Sequence, residues 1–384
     1  MSKPKPITAT IIGNPFAPIG RGIAALNLFR ALQESHYPVS ICDITSHNYH
    51  RKNRDVRSEI GSYLVPKPGK GINIFVINGD EIETTRKLLG DYPTYAYNII
   101  YPSWELEKYP MHWAKQIESF FDEVWVPSKF LEESLSRVCY KPVLCVPHPI
   151  YVKLRSFLTR RYFGLPESSY IFLFMFDLKS YIERKNPIDF LRAFEKLIQI
   201  RPSADVRAVI KVSGVDTHQK GYEKFIKFNE QVNLSKAHDR IILFTNTFSE
   251  NETKNLIRNC DCFVSLHRSE GFGLAIAEAM LLGKPVIATN YSGNLEFMTK
   301  NNSFLVDYNL IPVQEDEYPY STGQVWANPN INQAIEYMIS LIENKNRGQE
   351  VGEIASRDIR VKFSLLSIGL KVSNRLNEIS QKFF

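Results

Sequence analysis

The chain lacks any apolar run long enough to span a bilayer, and its amino-terminal residues lack the apolar core of a signal peptide. It has only five cysteines, an odd number, and none shows the paired spacing of a metal site. Internal repeats, base-reading motifs and an Asp-x-Asp motif near a strand end are also missing. We therefore expect a reduced, cytoplasmic protein without a disulfide framework or a structural metal.

The composition is that of a globular protein, with 44% hydrophobic and 23% charged residues. A length of 384 residues exceeds what one ordinary core supports, so two domains are expected. Lys and Arg outnumber Asp and Glu by 47 to 41, a net charge of +6. That modest excess is compatible with an anionic nucleotide substrate, or with peripheral contact to the inner face of an acidic membrane, and it does not require a nucleic acid partner.

Short β-branched and apolar runs alternate with helical segments along the chain, which predicts an α/β protein with parallel sheets and right-handed crossovers. The predicted strands are residues 7–12, 39–43, 72–77, 96–100, 170–176, 207–212 and 240–244. Residues 309–326, rich in proline and tyrosine, are expected to wrap the surface.

Residues 260–298 form the most informative stretch of the sequence. An apolar strand at 262–266 is followed by a polar turn, a helix at 274–282 and a second strand at 286–288. The start of such a helix presents unpaired N–H groups to an anion. Glu270 precedes the helix and Glu278 lies about a turn inside it, so both could bind one ligand that carries hydroxyls. The alternative is an ordinary strand–helix turn with a capping glutamate and a surface glutamate.

The Glu270–Gly271–Phe272–Gly273–Leu274 run, with Glu278 after seven intervening residues, resembles the donor-site motif of retaining family-4 glycosyltransferases. The resemblance implies a GT-B fold, in which two Rossmann-like domains face a cleft. It also implies that Glu270, Phe272, Gly273 and Leu274, with the backbone of Gly271, hold the donor sugar. Glu278 would hold the nucleotide ribose.

A second pair of cations follows the strand at residues 170–176. In the family, an arginine at the strand end and a later lysine contact the donor diphosphate. Lys185 occupies the lysine position, whereas Asp177 stands where the arginine is expected, and Arg184 is assigned the second positive charge. Two cations could stabilise a departing diphosphate without a metal. The alternative is a basic loop without a ligand, which is unfavourable close to a helix start.

The first strand is followed by a glycine-containing loop and then by a helix predicted from residue 23. Its spacing is not that of a dinucleotide fingerprint. By the resemblance, Gly20, Arg21 and Gly22 are assigned to the phosphates and the acceptor. A plain strand–helix turn is the alternative.

Glu105 lies in a Trp-Glu-Leu-Glu segment, residues 104–107, that is similar to a bacterial polysaccharide mannosyltransferase-like subset of the family. Many relatives carry a histidine near this position. Glu105 therefore either contacts a sugar as a catalytic residue, or belongs to a segment whose tryptophan packs between domains, and the sequence leaves both open.

Three further residues of the second domain are assigned to donor binding. Thr247 and Phe248 follow the strand at 240–244, where the loop of family members packs against the nucleobase. Lys211, on the predicted strand 207–212, is assigned to the same site.

These assignments predict an acceptor-side domain at residues 1–155, to which helix 364–384 returns, and a donor-binding domain at residues 156–363. The implied reaction is transfer of a hexosyl group, with mannosyl from GDP-mannose favoured, to a sugar hydroxyl of a glycan or lipid-linked acceptor. The nucleotide sugar is a substrate, and neither a cofactor nor a metal is expected. A GT-B epimerase or phosphorylase, or a non-catalytic sugar-binding protein, are the alternatives.

Overall fold

The computed structural model describes residues 7–44, 54–216 and 221–384. The chain divides into two compact units, one formed by Met1–Tyr151 with Val361–Phe384 and the other by Val152–Arg360. Each unit has its own parallel sheet.

Unit 1 alternates strands and helices from its start. Its elements before residue 151 are β1 (Ala9–Gly13), α1 (Gly20–Glu34), β2 (Val39–Asp43), α2 (Arg54–Ile60), β3 (Ile72–Phe75), α3 (Ile82–Leu89), β4 (Tyr97–Ile100), α4 (Met111–Phe120), β5 (Glu123–Val126), α5 (Lys129–Ser136) and β6 (Val143–Cys145). Within the described ranges the strands form a six-stranded sheet in the order β2-β1-β3-β4-β5-β6, and every neighbouring pair is parallel.

Unit 2 repeats this architecture. Its elements, followed by the last helix of the chain, are β7 (Tyr170–Asp177), α6 (Ile182–Lys185), α7 (Pro187–Ile200), β8 (Val206–Ser213), α8 (Tyr222–Leu234), β9 (Ile241–Phe244), α9 (Glu250–Asn259), β10 (Cys262–Ser265), α10 (Leu274–Leu281), β11 (Val286–Thr289), β12 (Phe304–Val306), β13 (Tyr308–Pro312), β14 (Val325–Pro329), α11 (Ile331–Glu343), α12 (Lys345–Lys362) and α13 (Leu365–Phe383). In the described part of the chain, its six parallel strands are ordered β12-β11-β10-β7-β8-β9.

Most of the apolar runs that predicted strands are buried on both faces, as parallel sheets require, whereas β9 at the edge of the unit 2 sheet is only half-buried. In unit 2 the core contains Phe172, Phe174 and Val264 from the sheet and Phe190 and Phe194 from α7, all at most 1% exposed. The rings of Phe174 and Phe190 stack with centroids 4.9 Å apart.

Residues 309–326, which were expected to wrap the surface, include many exposed residues but also regular strands. They contribute to β13 and β14, which pair as an antiparallel hairpin outside the main sheet. Trp326 on β14 is completely buried. Prolines at the two strand ends, Pro312 and Pro329, hid the alternating pattern of the strands.

Helix α13 belongs to unit 1, and buried polar contacts hold it against the rest of that unit. Glu123 at the start of β5 has no exposed surface, and its carboxylate accepts hydrogen bonds from Arg375, Tyr97 and Trp125 at 3.0, 3.0 and 2.7 Å. On the facing side, Gly369 approaches α1 so closely that a Cβ atom there would lie 2.1 Å from the carbonyl oxygen of Ala31.

We therefore expect Gly369→Ala to lower the free energy of unfolding by about 2 kcal/mol, because the added methyl group forces α13 away from α1. Gly61→Ala is the matched control, since a Cβ there meets nothing within 4 Å. It should change stability by less than about 0.5 kcal/mol. Urea denaturation of both variants is the measurement, and equal stabilities would contradict the close packing of α13 on α1.

Candidate functional site

The assigned residues of unit 2 lie where the parallel strands end. Arg184 and Lys185 follow β7, Thr247 and Phe248 follow β9, and Glu270 follows β10. In a parallel sheet the carboxyl ends of all strands lie along one edge, which is where open α/β sheets bind ligands. The topology therefore brings these segments to the same edge of the unit 2 sheet.

A buried ion cluster joins the segment after β7 to the loop after β10. Glu270 is 7% exposed, and one oxygen of its carboxylate accepts a hydrogen bond from the Lys185 ammonium. The other oxygen lies 3.2 Å from Nη1 of Arg184. Arg184 also donates to the carbonyl oxygens of Ser269 and Ser180, at 2.8 and 3.1 Å. Two cations surround one carboxylate, so the cluster carries an excess positive charge.

Burial by itself disfavours the ionised form of Glu270, but the charges of Lys185 and Arg184 outweigh it and lower the pKa of Glu270 to about 2. The carboxylate is therefore ionised at neutral pH and acts only as a hydrogen-bond acceptor. Such a group suits the hydroxyls of a sugar, which are donors.

The backbone of this loop is held by the turn after β11. Ser292 accepts a hydrogen bond from the Glu270 N–H at 2.8 Å, and the Gly293 N–H donates to the Glu270 carbonyl at 2.8 Å. A Cβ at Gly293 would lie 2.1 Å from the carbonyl oxygen of Gly271, so only glycine fits there. Ser292 itself takes a left-handed φ of 75°. The loop after β10 and the turn after β11 therefore jointly hold the Glu270 carboxylate in position.

His267 lies below the loop and has no exposed surface. Its Nδ1 is 3.0 Å from the Ser265 hydroxyl, and its Nε2 is 3.1 Å from the side-chain oxygen of Asn294. Burial lowers its pKa, so the ring is neutral at physiological pH. His267 therefore links the end of β10 to the turn that contains Gly293 and holds this turn without adding charge.

Glu278 on α10 is placed differently from Glu270. It is 5% exposed and forms a buried ion pair with Lys254 of α9, which is 3% exposed. In the described part of the chain, Glu270 and Glu278 share no ion-pair partner. Lys254 was missed by sequence reasoning because its pairing with Glu278 depends on how α9 packs against α10.

The other residues of the motif shape the start of α10. Gly273 precedes the helix with a φ of +95°, a conformation that favours glycine, and Leu274 is the first helical residue. The Phe272 side chain is buried against Phe297, with ring centroids 5.0 Å apart. Phe272 therefore offers its backbone, and not its ring, to a ligand at this edge of the sheet.

Lys211 and Phe248 are brought together at the end of β8 and β9. Lys211 is only 1% exposed. Its ammonium group donates to the carbonyl oxygens of Val212 and Asn246, at 2.8 and 3.0 Å, and lies 4.9 Å from the centre of the Phe248 ring. Burial lowers the pKa of Lys211 to about 8. Lys211 thus fixes the loop that contains Thr247, which is itself exposed.

Two of the assigned segments belong to unit 1. Helix α1 starts at Gly20, so Gly20, Arg21 and Gly22 form its first turn and not the preceding loop. The sequence predicted a later start, at residue 23, because glycine is a poor helix former. Gly22 is nevertheless required in this turn, because a Cβ there would lie 2.1 Å from the Ala17 carbonyl oxygen. The Arg21 guanidinium pairs with Glu81, which lies beyond β3.

Glu105 follows β4 and is half-buried. Its neighbour Trp104 is 3% exposed, donates from Nε1 to the Lys108 carbonyl at 3.1 Å, and packs against Tyr109 and Trp113, with ring centroids 6.1 and 5.3 Å away. The tryptophan thus belongs to an aromatic cluster of unit 1. The side chain next to it, Glu105, stays a candidate for sugar contact.

Within residues 7–44, 54–216 and 221–384, no group of three or more His, Cys, Asp or Glu side chains is arranged to hold a metal ion. None of the helices in those ranges combines the length and the hydropathy that a bilayer crossing requires.

The Glu270 cluster predicts how stability depends on pH. Its pKa in the folded protein, about 2, is below the ordinary value of 4.5. The cluster therefore stabilises the fold fully above pH 4.5, and this contribution is lost as the pH falls towards 2. Glu270→Gln should be less stable than wild type at pH 6, and the difference should shrink progressively below pH 4.5. Urea denaturation between pH 2 and 6 measures this, with Glu336→Gln on the exposed face of α11 as the control. A difference that is constant with pH would contradict the ion cluster.

Solved structures with the same architecture extend along almost the whole chain. The structure of HepE from Anabaena in complex with UDP and glucose has a TM-score of 0.69 at 12% identity, and covers 97% of this chain and 100% of that one. Sucrose-phosphate synthase from Thermosynechococcus elongatus also has a TM-score of 0.69, at 14% identity, with 97% and 99% covered. At such low identity the similarity establishes the fold, which is GT-B with two Rossmann-like domains.

A curated relative matches over a short stretch. The alpha-1,3/1,6-mannosyltransferase ALG2 of Dictyostelium discoideum is 33% identical over 84 residues, so the match spans 20% of this chain and 20% of that protein. The model of the family "Glycosyl transferases group 1" matches residues 158–358, just over half of the 384-residue chain, and includes every assigned residue of unit 2. The chain therefore belongs to the group 1 glycosyltransferase family.

Proposed function

We propose that this group 1 glycosyltransferase moves a hexosyl group from a nucleotide diphosphate sugar to a sugar hydroxyl, with retention of the anomeric configuration. Unit 2 binds the donor and unit 1 the acceptor, a glycan or a lipid-linked glycan. The observation that carries the proposal is the buried Glu270 carboxylate between Arg184 and Lys185 at the carboxyl edge of the unit 2 sheet. Family membership supports the same class of reaction.

The excess positive charge of the cluster is suited to the leaving group. The bond between the anomeric carbon and the phosphate oxygen breaks while the acceptor oxygen bonds to the anomeric carbon. The acceptor proton ends on the diphosphate. Arg184 and Lys185 neutralise the negative charge that develops on that diphosphate, so the leaving group can depart without a metal. The amides at the start of α10 add a positive dipole end.

The two carboxylates recognise hydroxyls of the donor. Glu270 accepts hydrogen bonds from the sugar, because it is ionised and held rigidly by the Ser292 and Gly293 contacts. Glu278 accepts from the ribose, and its ion pair with Lys254 holds this almost completely buried side chain in place. The nucleobase packs beside Thr247 and Phe248, whose loop Lys211 holds.

The sugar is proposed to be mannose and the donor GDP-mannose. The Trp-Glu-Leu-Glu segment at residues 104–107 supports this choice, and so does the short match to a protein named as a mannosyltransferase. The HepE structure holds UDP and glucose, which makes UDP-glucose the competing donor. A role in polysaccharide synthesis on the cytoplasmic side of the membrane is consistent with a glycan acceptor.

Thermal stabilisation by a panel of nucleotide sugars tests the donor. We expect GDP-mannose to raise the melting temperature more than UDP-glucose or a dTDP-sugar at equal concentration, since only a ligand of the folded form stabilises it. A larger shift with UDP-glucose would refute the mannosyl assignment and leave the glycosyl transfer intact. No shift with any nucleotide sugar would refute donor binding altogether.

Removing one cation tests the mechanism. Lys185→Met should lower kcat by a factor on the order of 100 to 1,000, because the leaving diphosphate loses a charge-assisted bond. Lys196→Met, at an exposed position on α7, is the matched control and should transfer at the wild-type rate.

Radiolabelled transfer to glycan acceptors is the measurement for both lysine variants and for Glu270→Gln. A protein that only binds sugar would show no transfer in any of them. If Lys185→Met and Glu270→Gln both transferred the sugar at the wild-type rate, the assignment of this site would be refuted. The configuration of the product, read by proton NMR, decides between retention and inversion.

A further inference from the structure

A cavity of about 660 Å³ lies in unit 2, apart from Glu270. Three segments line it: the turn after β7 with the start of α6, the beginning of α8, and the loop between β13 and β14. Its volume falls within the range of small-molecule sites in proteins, roughly 300–1,000 Å³. Nothing in the proposed donor chemistry uses this cavity.

Two tyrosines form the aromatic side of the cavity. The rings of Tyr181 and Tyr318 have centroids 4.7 Å apart at an angle of 56°, and Tyr318 is only 7% exposed. Tyr181 takes a left-handed φ of 62°, an unfavourable conformation for a residue with a bulky side chain. The backbone therefore accepts strain where it directs a tyrosine towards the hairpin loop.

The polar side contains an incomplete hydrogen-bond arrangement. The Lys224 ammonium lies 2.7 Å from Oε1 of Glu183 and donates to the Asp316 carbonyl oxygen at 3.0 Å. The second carboxylate oxygen, Oε2 of Glu183, is buried without a hydrogen-bond partner among the described residues. An unsatisfied buried acceptor is costly, and a ligand hydroxyl would supply the missing donor once the Glu183 side chain turns Oε2 towards the cavity, from which it is screened in the free protein.

The charge of the lining distinguishes between ligand classes. Glu183, Glu315 and Asp316 contribute three carboxylates, against two ammonium groups from Lys179 and Lys224. One excess negative charge disfavours a phosphate or a nucleotide. Aromatic faces and carboxylate acceptors together suit a neutral polyhydroxylated molecule, whose C–H groups stack on rings and whose hydroxyls donate.

We propose that this cavity is a binding site for a neutral sugar unit, which the chain recognises separately from the nucleotide sugar. The assignment of that unit to the acceptor glycan, beyond the reacting sugar that unit 1 binds, rests on the proposed function. The sugar stacks on the tyrosine pair and donates hydrogen bonds to Glu183 and to Asp316 of the hairpin loop.

The cavity is connected covalently and by hydrogen bonds to the Glu270 cluster. Helix α6 contributes Glu183 to the cavity and Arg184 to the cluster. The hairpin loop is fastened by Glu317 to Arg268, at 3.3 Å, and the Arg268 N–H donates to the Arg184 carbonyl at 2.8 Å. A sugar that orders the hairpin loop therefore also steadies Arg184. This makes the site suited to selecting acceptors that extend beyond the reacting hydroxyl.

Saturation-transfer NMR without any nucleotide tests the site directly. The probes are methyl hexopyranosides and their disaccharides, with a hexose 6-phosphate and a free nucleoside as comparisons. We expect the neutral glycosides to receive saturation from wild type and the phosphate and the nucleoside to receive less. Glu183→Gln and Tyr318→Leu should weaken glycoside binding about tenfold, the effect of losing one good contact.

Matched variants separate binding from folding. Glu336→Gln changes a carboxylate on the exposed face of α11, outside the cavity, and should bind the glycosides as wild type does. Circular dichroism melts show whether Tyr318→Leu is folded, and Glu183→Gln tests the site independently if it is not. Glycoside binding in a protein that no nucleotide sugar stabilises would support the cavity while refuting the proposed donor chemistry. The proposal is overturned if no glycoside binds wild type, if Glu183→Gln binds as tightly as wild type, or if the phosphate or the nucleoside binds more tightly.

Discussion

The ion cluster of Glu270 with Lys185 and Arg184 is the interaction on which the rest of the site depends. A buried carboxylate is tolerated only where its charge is compensated, and removing one partner of a buried pair costs about 3–5 kcal/mol. The cluster therefore constrains two segments, the one after β7 and the one after β10, to meet in a single arrangement. Because it contains two cations for one anion, it retains an attraction for a further negative group. The same contacts thus stabilise the fold and, in the proposed function, attract the donor diphosphate.

Close backbone approach supplies the precision that this cluster needs. Gly293 lets the turn after β11 touch the carbonyl of Gly271, and Ser292 holds the amide of Glu270. A side chain at Gly293 would force the two loops apart and displace the carboxylate. Gly369 serves a comparable purpose in unit 1, where it allows α13 to lie directly against α1. These glycines are required by packing, since none of their contacts can accommodate a Cβ atom.

Buried and half-buried polar contacts recur around the unit 2 sheet edge. Each of them fixes the position of a segment that an ordinary apolar contact would leave free to shift. Lys254 fixes Glu278 on α10, Lys211 fixes the loop before Phe248, and Arg268 connects the hairpin loop to the residues beside Glu270. Directional bonds of this kind specify one geometry, whereas apolar packing tolerates several. The hairpin β13–β14 matters for the same reason, because it carries Tyr318 to the cavity and leaves Trp326 buried beneath it.

The amino-acid sequence by itself determined the α/β alternation, since buried parallel strands are recognisable as short apolar runs. Val39–Asp43 was predicted to the residue, and the motif from Glu270 to Glu278 indicated the family. Tertiary structure alone decided the partners. Lys254 and Glu278 are 24 positions apart, Arg184 and Glu270 are 86, and no local pattern links such pairs. It also decided that α1 begins at Gly20 and that the stretch after residue 308 forms a hairpin. Local propensity describes only a residue and its neighbours, whereas charge compensation and close packing depend on segments that meet after folding.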